Sequence, residues 1–200
     1  MSHYFDPEPS VPSQPRQVTL VLPDLTVELT TDRGVFAGHA VDPGTRFLLL
    51  EAPPPPARGE LLDLGCGYGP IAVTLARRSP GATVWAVDVN RRALELTTAN
   101  ARAGGAVNVR ACEPDAVPPD VRFAAIWANP PVRIGKPALQ ALLAHWLGRL
   151  APGGRAWLVV HKHLGADSLL RWLGQEGFAT ERRRSRRGYR LLEVQARATA

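Results

Sequence analysis

Residues 61–69 read LLDLGCGYG, and this stretch is the most informative about the fold. A short strand pattern leads directly into three glycines spaced GxGxG, and Pro70 then marks the first turn of a predicted helix. A chain that leaves a strand and enters a helix must turn tightly, and glycine lets the backbone approach a ligand because no side chain blocks it. The stretch therefore predicts a strand, a ligand-binding turn and a helix.

The pattern around this stretch alternates short apolar runs with amphipathic segments. The predicted strands are 61–64, 83–87, 107–111, 123–128 and 156–160, and the predicted helices are 70–78, 91–103, 138–150 and 167–176. Such alternation predicts an α/β fold with a mostly parallel sheet and helices on both faces. Residues 178–184 and 189–195 predict an antiparallel pair at the end of the chain, and the three prolines of residues 112–122 predict an irregular crossover.

The N-terminal third divides into three parts. Residues 1–16 are rich in proline and predict an arm without regular helix, followed by a domain over 17–200. Residues 17–22 and 25–30 alternate around Pro23-Asp24 and predict an antiparallel strand pair, and DPGT at 42–45 predicts the start of a helix. The proline block at 53–56 separates this part, 17–56, from a core over 60–200.

Composition favours an intracellular protein with an acidic partner. The chain has 24 Lys and Arg against 18 Asp and Glu, a net charge of +6, which favours a polyanion such as RNA. Cys66 and Cys112 lack the spacing of a disulfide framework or metal site. The sequence has neither a signal peptide nor an apolar run of about 18 residues, so we expect a soluble, cytoplasmic protein with no membrane contact.

Asp88 is the candidate that follows the glycine turn. It ends the next predicted strand, about 20 residues further along, where a carboxylate accepts hydrogen bonds from ribose hydroxyls. Enzymes that bind a nicotinamide dinucleotide show a similar arrangement. However, the spacing here is GxGxG after Asp63 and not GxGxxG, which favours another nucleoside cofactor. The alternative is a glycine turn with only a structural role.

Asn129-Pro130-Pro131 follows directly after an apolar strand and is the candidate catalytic segment. It should lie at the carboxyl edge of the sheet, where open α/β folds bind ligands. The amide oxygen of Asn129 and the carbonyl of Pro130 can each accept one hydrogen of a planar NH2 group. Such a clamp would direct the nitrogen lone pair without a strong base. The alternative interpretation of the segment is a proline turn that only ends the strand.

In this order, LLDLGCGYG, Asp88 and NPP resemble the class I S-adenosylmethionine-dependent methyltransferases that modify amino groups. The resemblance spans nearly the whole chain. Four further segments are similar to the small-subunit ribosomal RNA guanine-N2 methyltransferase family, in its single-domain form: TTDRGVFAGHAVDPGTRFLL, NPPVRIGK, LAPGGRAWLVV and GYRLLEV. The resemblance implies a Rossmann-like fold with a seven-stranded sheet, S-adenosylmethionine as cofactor, and ribosomal RNA as substrate.

The resemblance also implies roles for individual residues. Asn129 and Pro130 would hold the acceptor amine, and the loop residues after them would contact the substrate. The cofactor-binding set is Asp63, Gly65, Gly67, Gly69, Asp88 and Asp115, with Glu113 as the alternative to Asp115 at the adenine. The substrate-binding set is Pro131, Val132, Arg133 and Lys136.

Val132 departs from the family pattern, which commonly has Tyr or Phe after the two prolines to stack on the target base. Stacking must then come from elsewhere, or the acceptor is not a base. The alternatives are therefore methylation of a protein glutamine or a small amine, and a non-catalytic RNA-binding relic of the fold.

Two further patterns bear on RNA binding and on metal binding. RRRSRR at 182–187 is either an RNA contact or a solvated hairpin. His161 and His163 fall on one face of a strand end without a third ligand, so we expect no metal site.

Overall fold

A computed structural model describes residues 10–197. The predicted N-terminal pair is confirmed: β1 (Arg16–Val21) and β2 (Thr26–Thr31) form a separate antiparallel sheet. Helix α1 (Pro43–Glu51) follows, and the Asp42 carboxylate caps it by accepting from the Thr45 amide at 2.9 Å. Most of the predicted proline-rich arm, residues 1–9, lies outside the described residues.

The larger sheet has seven strands within residues 10–197, and the predicted fold class is confirmed. They are β3 (Arg58–Leu64), β4 (Gly81–Val87), β5 (Val109–Cys112), β6 (Phe123–Ala128), β7 (Leu150–His161), β8 (Thr180–Arg186) and β9 (Tyr189–Gln195). The order is β5-β4-β3-β6-β7-β9-β8. The strands β3 to β7 pair in parallel, whereas β9 pairs antiparallel with both β7 and β8.

The helices pack on both faces of this sheet, as predicted. They are α2 (Pro70–Arg78), α3 (Arg91–Ala103), α4 (Lys136–Leu147) and α5 (Ala166–Gln175). Residues of β1, β2, α1, α2 and α3 form one hydrophobic core on one face, and residues of α4 and α5 form a second core on the other. No helix in residues 10–197 is both long enough and apolar enough to cross a membrane.

The predicted bounds of α4 and the predicted start of β7 were wrong. The helix begins at Lys136, because Gly135 at φ 92° forms the cap and Pro137 fits the first turn, and it ends at Leu147, not at 150. Strand β7 runs over Leu150–His161 and includes Pro152-Gly153-Gly154, which the sequence indicated as a loop. The register against β6 shifts there, so this segment is an irregularity within the strand.

The predicted irregular crossover from β5 to β6 is confirmed, since its one helical turn is a short 3-10 turn at Pro114–Ala116. The parallel strands β3, β4 and β6 end at Leu64, Val87 and Ala128 on the same edge of the sheet. The glycine turn, Asp88 and Asn129 follow these three ends and therefore lie next to one another.

Candidate active site

The glycines after β3 differ in what surrounds them. Gly65 and Gly67 have φ of 76° and 57°, and a Cβ added at either would meet nothing within 4 Å. Both line a cavity of about 480 Å³. Gly69 caps α2 at φ 92°, does not line this cavity, and a Cβ there would lie 3.0 Å from Thr97. Gly65 and Gly67 thus leave room for a ligand, whereas Gly69 allows α2 and α3 to pack closely.

Asp88 lies beside this turn and also lines the cavity. Its Oδ2 accepts from the Gly67 amide at 2.9 Å and its Oδ1 accepts from the Asn90 amide at 3.0 Å. Burial raises the pKa of this carboxyl, and the backbone hydrogen bonds oppose that shift. Each oxygen of a carboxylate has further lone-pair capacity, so Asp88 can still accept from two vicinal hydroxyls.

Asp63 stands behind the glycine turn and does not line the cavity. It is fully buried in β3, and its Oδ2 accepts from the Ala72 amide in the first turn of α2 at 2.9 Å. Its Oδ1 has no hydrogen-bond partner. Burial raises the pKa of Asp63 to about 8, and the nearby Asp88 adds to the shift. This carboxyl ties β3 to α2 and supports the turn from behind.

Asn129 lies at the end of β6 with its amide fixed from one side. Its Nδ2 donates to Asp42 Oδ2 at 2.8 Å and to Thr45 Oγ1 at 3.1 Å. A carboxylate only accepts hydrogen bonds, so the nitrogen of the amide must face Asp42 and the oxygen must point the other way. Asn129 also lines the cavity, and its oxygen is therefore available as an acceptor.

The two prolines after Asn129 make a tight turn. Pro131 has φ −75° and ψ 71°, and the Val132 amide donates to the Pro130 carbonyl at 2.8 Å, which is an inverse γ-turn. A carbonyl oxygen has two lone pairs, so Pro130 can accept one more hydrogen bond. The Asn129 side-chain oxygen and the Pro130 carbonyl thus each keep the capacity to accept a hydrogen bond.

The cavity brings together most of the residues that the sequence predicted. The predicted residues that line it are Gly65, Gly67, Asp88, Asn129, Pro130, Pro131, Val132 and Arg133. Four predicted residues do not line it: Asp63, Gly69, Asp115 and Lys136. Lys136 is exposed at the start of α4.

The carboxyls predicted at the adenine end also lie away from the cavity wall. Asp115 is exposed, and Glu113 is exposed and pairs with Arg91 at 3.1 Å. Pro114 between them lines the cavity instead. At this end of the cavity the apolar side chain of Pro114 therefore lies where the sequence predicted a carboxyl group.

Asp42, His161 and Tyr189 are among the residues that line the cavity and that sequence reasoning did not assign to the site. The rings of His161 and Tyr189 meet edge to face, with centroids 5.0 Å apart at 81°. Burial raises the pKa of Tyr189, and the negative charge of Asp42 adds to this shift. Tyr189 therefore lies near the Asp42–Asn129 pair. The terminal GYRLLEV motif contains Tyr189, but no local pattern connects it to Asn129.

No cluster of three or more metal-ligating side chains occurs in residues 10–197. His161 and His163 have ring centroids 5.4 Å apart, and His161 packs on Tyr189.

Comparisons with known proteins agree with this geometry. A family model described as the methyltransferase small domain matches residues 26–193. A Bacillus subtilis relative, uncharacterized protein YbxB, is 34% identical over 195 residues, which cover 96% of this chain and 97% of the relative. Ribosomal RNA small subunit methyltransferase C of Hahella chejuensis is 39% identical over 145 residues, which cover 70% of this chain and 42% of the relative.

Among solved structures, the T. thermophilus 16S rRNA N2 methyltransferase RsmC, in complex with AdoMet and guanosine, has a TM-score of 0.78 and 29% sequence identity. The match covers 94% of this chain and 52% of that one. The chain thus spans about half the length of the ribosomal RNA methyltransferases that it matches.

Proposed function

The chain belongs to the methyltransferase small domain family and is an S-adenosylmethionine-dependent methyltransferase, and we propose that its substrate is an exocyclic amino group of ribosomal RNA. The specific target that we propose is the N2 amino group of guanine in the small-subunit RNA. The observation that carries this proposal is the Asn129 amide, whose nitrogen is held by Asp42 and Thr45 and which lines a cavity of about 480 Å³ together with Pro130.

The residues of the cavity fit S-adenosylmethionine. Gly65 and Gly67 leave a cradle that a Cβ would fill, and Asp88 offers a carboxylate for the ribose hydroxyls. When bound, the cofactor supplies a methyl group that is activated for direct displacement from a positively charged sulfur. The protein must then position an acceptor nitrogen.

The acceptor pair positions that nitrogen through its hydrogens. If one hydrogen of a planar NH2 group bonds to Asn129 Oδ1 and the other to the Pro130 carbonyl, the two bonds fix the group in the plane of the acceptors. If that plane is tilted from the plane of the base, the nitrogen lone pair leaves conjugation and can react, and the methylated nitrogen would then release one of its hydrogens as a proton to solvent. Rate enhancement would come mainly from this orientation, and a strongly basic side chain is not required.

The aromatic rings of Tyr189 and His161 favour the hypothesis that the acceptor is a planar aromatic base. Val132 gives no aromatic face after the prolines, but the rings of Tyr189 and His161 line the same cavity. Base stacking on an aromatic side chain is worth about 1–3 kcal/mol. The guanosine bound to the related 16S rRNA N2 methyltransferase is the reason for choosing guanine over other bases.

The experiment that tests this function follows labelled methyl groups. The protein is incubated with S-adenosylmethionine carrying a deuterated methyl group and with small-subunit RNA that lacks its methylations, and the RNA nucleosides are analysed by mass spectrometry. We expect the label in N2-methylguanosine. A parallel reaction uses a protein fraction as acceptor, and label found in glutamine there would replace the RNA proposal.

Asn129→Ala is the matching variant for the clamp. We expect turnover to fall by at least about 100-fold, because misplacing a reacting group costs that much. The dissociation constant for S-adenosylmethionine, measured by calorimetry, should stay the same. Unchanged turnover with normal cofactor binding would refute the clamp.

A further inference from the structure

A second cavity of about 380 Å³ lies beside the acceptor end of the first. The end of β7 and the β8–β9 hairpin form it, and five of the residues that line it are cations: Lys162, Arg182, Arg186, Arg187 and Arg190. None of its lining residues is acidic. We call this cavity the basic groove.

The arginines of the β8–β9 hairpin separate into two groups. Arg183 pairs with Glu181 at 2.8 Å and with the buried Glu193 at 3.2 Å, and Arg184 lies 3.7 Å from Glu51. These two do not line the basic groove. Each of these two arginines therefore has a carboxylate partner within the fold.

The cations of the groove are mostly not neutralised. Arg190 pairs with Asp167, but Lys162, Arg182, Arg186 and Arg187 form no ion pair with a carboxylate of residues 10–197. Four like charges around one concave surface repel one another, which destabilises the fold unless an anion binds there. This separation into paired and unpaired arginines distinguishes the groove from an ordinary solvated hairpin.

The groove is also held in place. Arg187 and Gly188 form the two-residue turn of the hairpin with φ of 48° and 86°. The Lys162 amide donates to the Gly188 carbonyl at 2.7 Å, which joins the turn to the end of β7. A side chain at 188 would collide with the ring of His161. The turn therefore packs directly on a residue that lines the first cavity.

Tyr189 lines both cavities. A base held by Asn129 and Pro130 would face Tyr189, and the sugar-phosphate chain attached to that base must leave the first cavity at its opening. Because Tyr189 lines both cavities, a chain that leaves on the Tyr189 side would reach the basic groove. An acceptor base inside the cavity must leave its helical stack, and this costs least where the RNA is already single-stranded.

We propose that the basic groove binds the phosphate backbone of single-stranded RNA next to the methylated nucleotide, a role that rests on the proposed RNA substrate. Lys162, Arg182, Arg186 and Arg187 supply the contacts. These contacts position the RNA without reading its sequence, because they reach phosphate and not base edges.

The test compares two charge-reversal variants. R182E/R186E changes the groove, and R58E/R102E makes the same change in net charge at exposed positions at the start of β3 and near the end of α3, neither of which lines the groove. The probe is a fluorescein-labelled single-stranded RNA of about 12 nucleotides, within the range that single-strand sites cover. Anisotropy gives its affinity at several salt concentrations, and calorimetry gives the affinity for S-adenosylmethionine.

We expect R182E/R186E to bind the RNA at least about 10-fold more weakly and to lose about 1.4 from the slope of log affinity against log salt, since each phosphate contact on a single strand contributes about 0.7. R58E/R102E should remain close to wild type, and all three proteins should bind S-adenosylmethionine equally. Both substituted β8 residues are exposed, and circular dichroism verifies the fold.

Equal RNA affinity and equal salt slopes in the two variants would overturn the groove proposal. Its failure is distinguishable from failure of the proposed function. If wild type methylates RNA while R182E/R186E behaves like R58E/R102E, only the groove assignment is lost. If wild type transfers no methyl to RNA but R182E/R186E still loses RNA binding, the groove stands and the substrate assignment is wrong.

Discussion

Asp42 holds the amide of Asn129 from a position 87 residues earlier in the chain. The same carboxylate oxygen also accepts from the Thr45 amide and so caps α1. One side chain therefore fixes a helix start and the orientation of the candidate catalytic amide. Under the proposed function, Asp42 would be a positioning residue, because it would act on the acceptor amine through Asn129.

Replacing Asp42 with alanine should lower kcat by roughly 10-fold to 100-fold, because Asn129 can then rotate its oxygen away from the acceptor. KM for S-adenosylmethionine should change little. The helix cap is lost as well, at a cost of about 1 kcal/mol in the free energy of unfolding. Steady-state kinetics and thermal unfolding measure the two effects separately.

The conservative variant D42N tests whether an oxygen acceptor at position 42 is sufficient to orient Asn129. Its amide oxygen can still accept from Asn129 Nδ2 and from the Thr45 amide, so most of kcat should return. A D42A enzyme with the wild-type kcat, or a D42N enzyme as slow as D42A, would contradict the positioning role.

Asp63 gives a prediction about stability and pH. The pKa of this carboxyl is raised by burial from 3.8 to about 8 in the folded protein. Between these two values the folded state holds a proton that the unfolded chain has released, so the free energy of unfolding falls as pH rises. The limiting slope from one group is about 1.4 kcal/mol per pH unit.

Asp63→Asn removes this titration and keeps an oxygen for the Ala72 amide. Urea unfolding of the variant and the wild type at several pH values is the measurement. Wild type should lose stability relative to D63N as pH rises from about 5 to about 8, and the difference should level off above that. Parallel curves for the two proteins would mean that Asp63 is ionised throughout.

Among the structural elements, the turn from β3 to α2 should control the affinity for the cofactor. Gly65→Ala adds a Cβ that meets no protein atom within 4 Å but projects from the lining of the cavity. The variant should fold and should bind S-adenosylmethionine at least about 10-fold more weakly, because the backbone can no longer approach the ligand closely.

Gly105→Ala is the matched control. Gly105 also has a positive φ, 66° against 76° at Gly65, and a Cβ there likewise meets nothing within 4 Å. It does not line the cavity. Both variants should lose stability by roughly 1–2 kcal/mol from the left-handed backbone, but only G65A should lose cofactor affinity. Equal cofactor binding by the two variants would contradict the cradle.

The bounds of α2 and α3 were predictable because local chemistry sets them. Pro70 fits the first turn of α2, and α3 has Asn90 as its cap and Gly104 at its end. The N-terminal part of β7, which contains Pro152-Gly153-Gly154, was not predictable, because pairing with β6 keeps this loop-like segment in the sheet. Tertiary pairing here overrides local preference.

Some residues of the candidate site were likewise predictable from the sequence, and others were not. Asn129 and Asp88 were found because each directly follows a predicted strand, and parallel strands bring their carboxyl ends together. Asp42 and Tyr189 come from α1 and β9, which precede and follow the parallel core, and their meeting depends on packing that no local pattern encodes. The exposed position of Asp115 likewise depends on how the crossover after β5 folds.

At the scale of the whole molecule, the two flanks of the parallel core complete the site. The segment before the core contributes Asp42 to the acceptor end, and the C-terminal hairpin contributes Tyr189 and the basic groove. The net charge of +6 is thus partly concentrated where an RNA chain would leave the cavity. One domain would then combine the cofactor cradle, the amine clamp and the RNA contact.

Methylation of guanine N2 is tested most directly by mass spectrometry of nucleosides in small-subunit ribosomal RNA from cells with and without this protein. We expect one N2-methylguanosine to disappear without the protein, to return when the wild type is restored, and to stay absent when N129A is supplied at the same level. Identical methylated nucleosides in all of these RNA samples would contradict it.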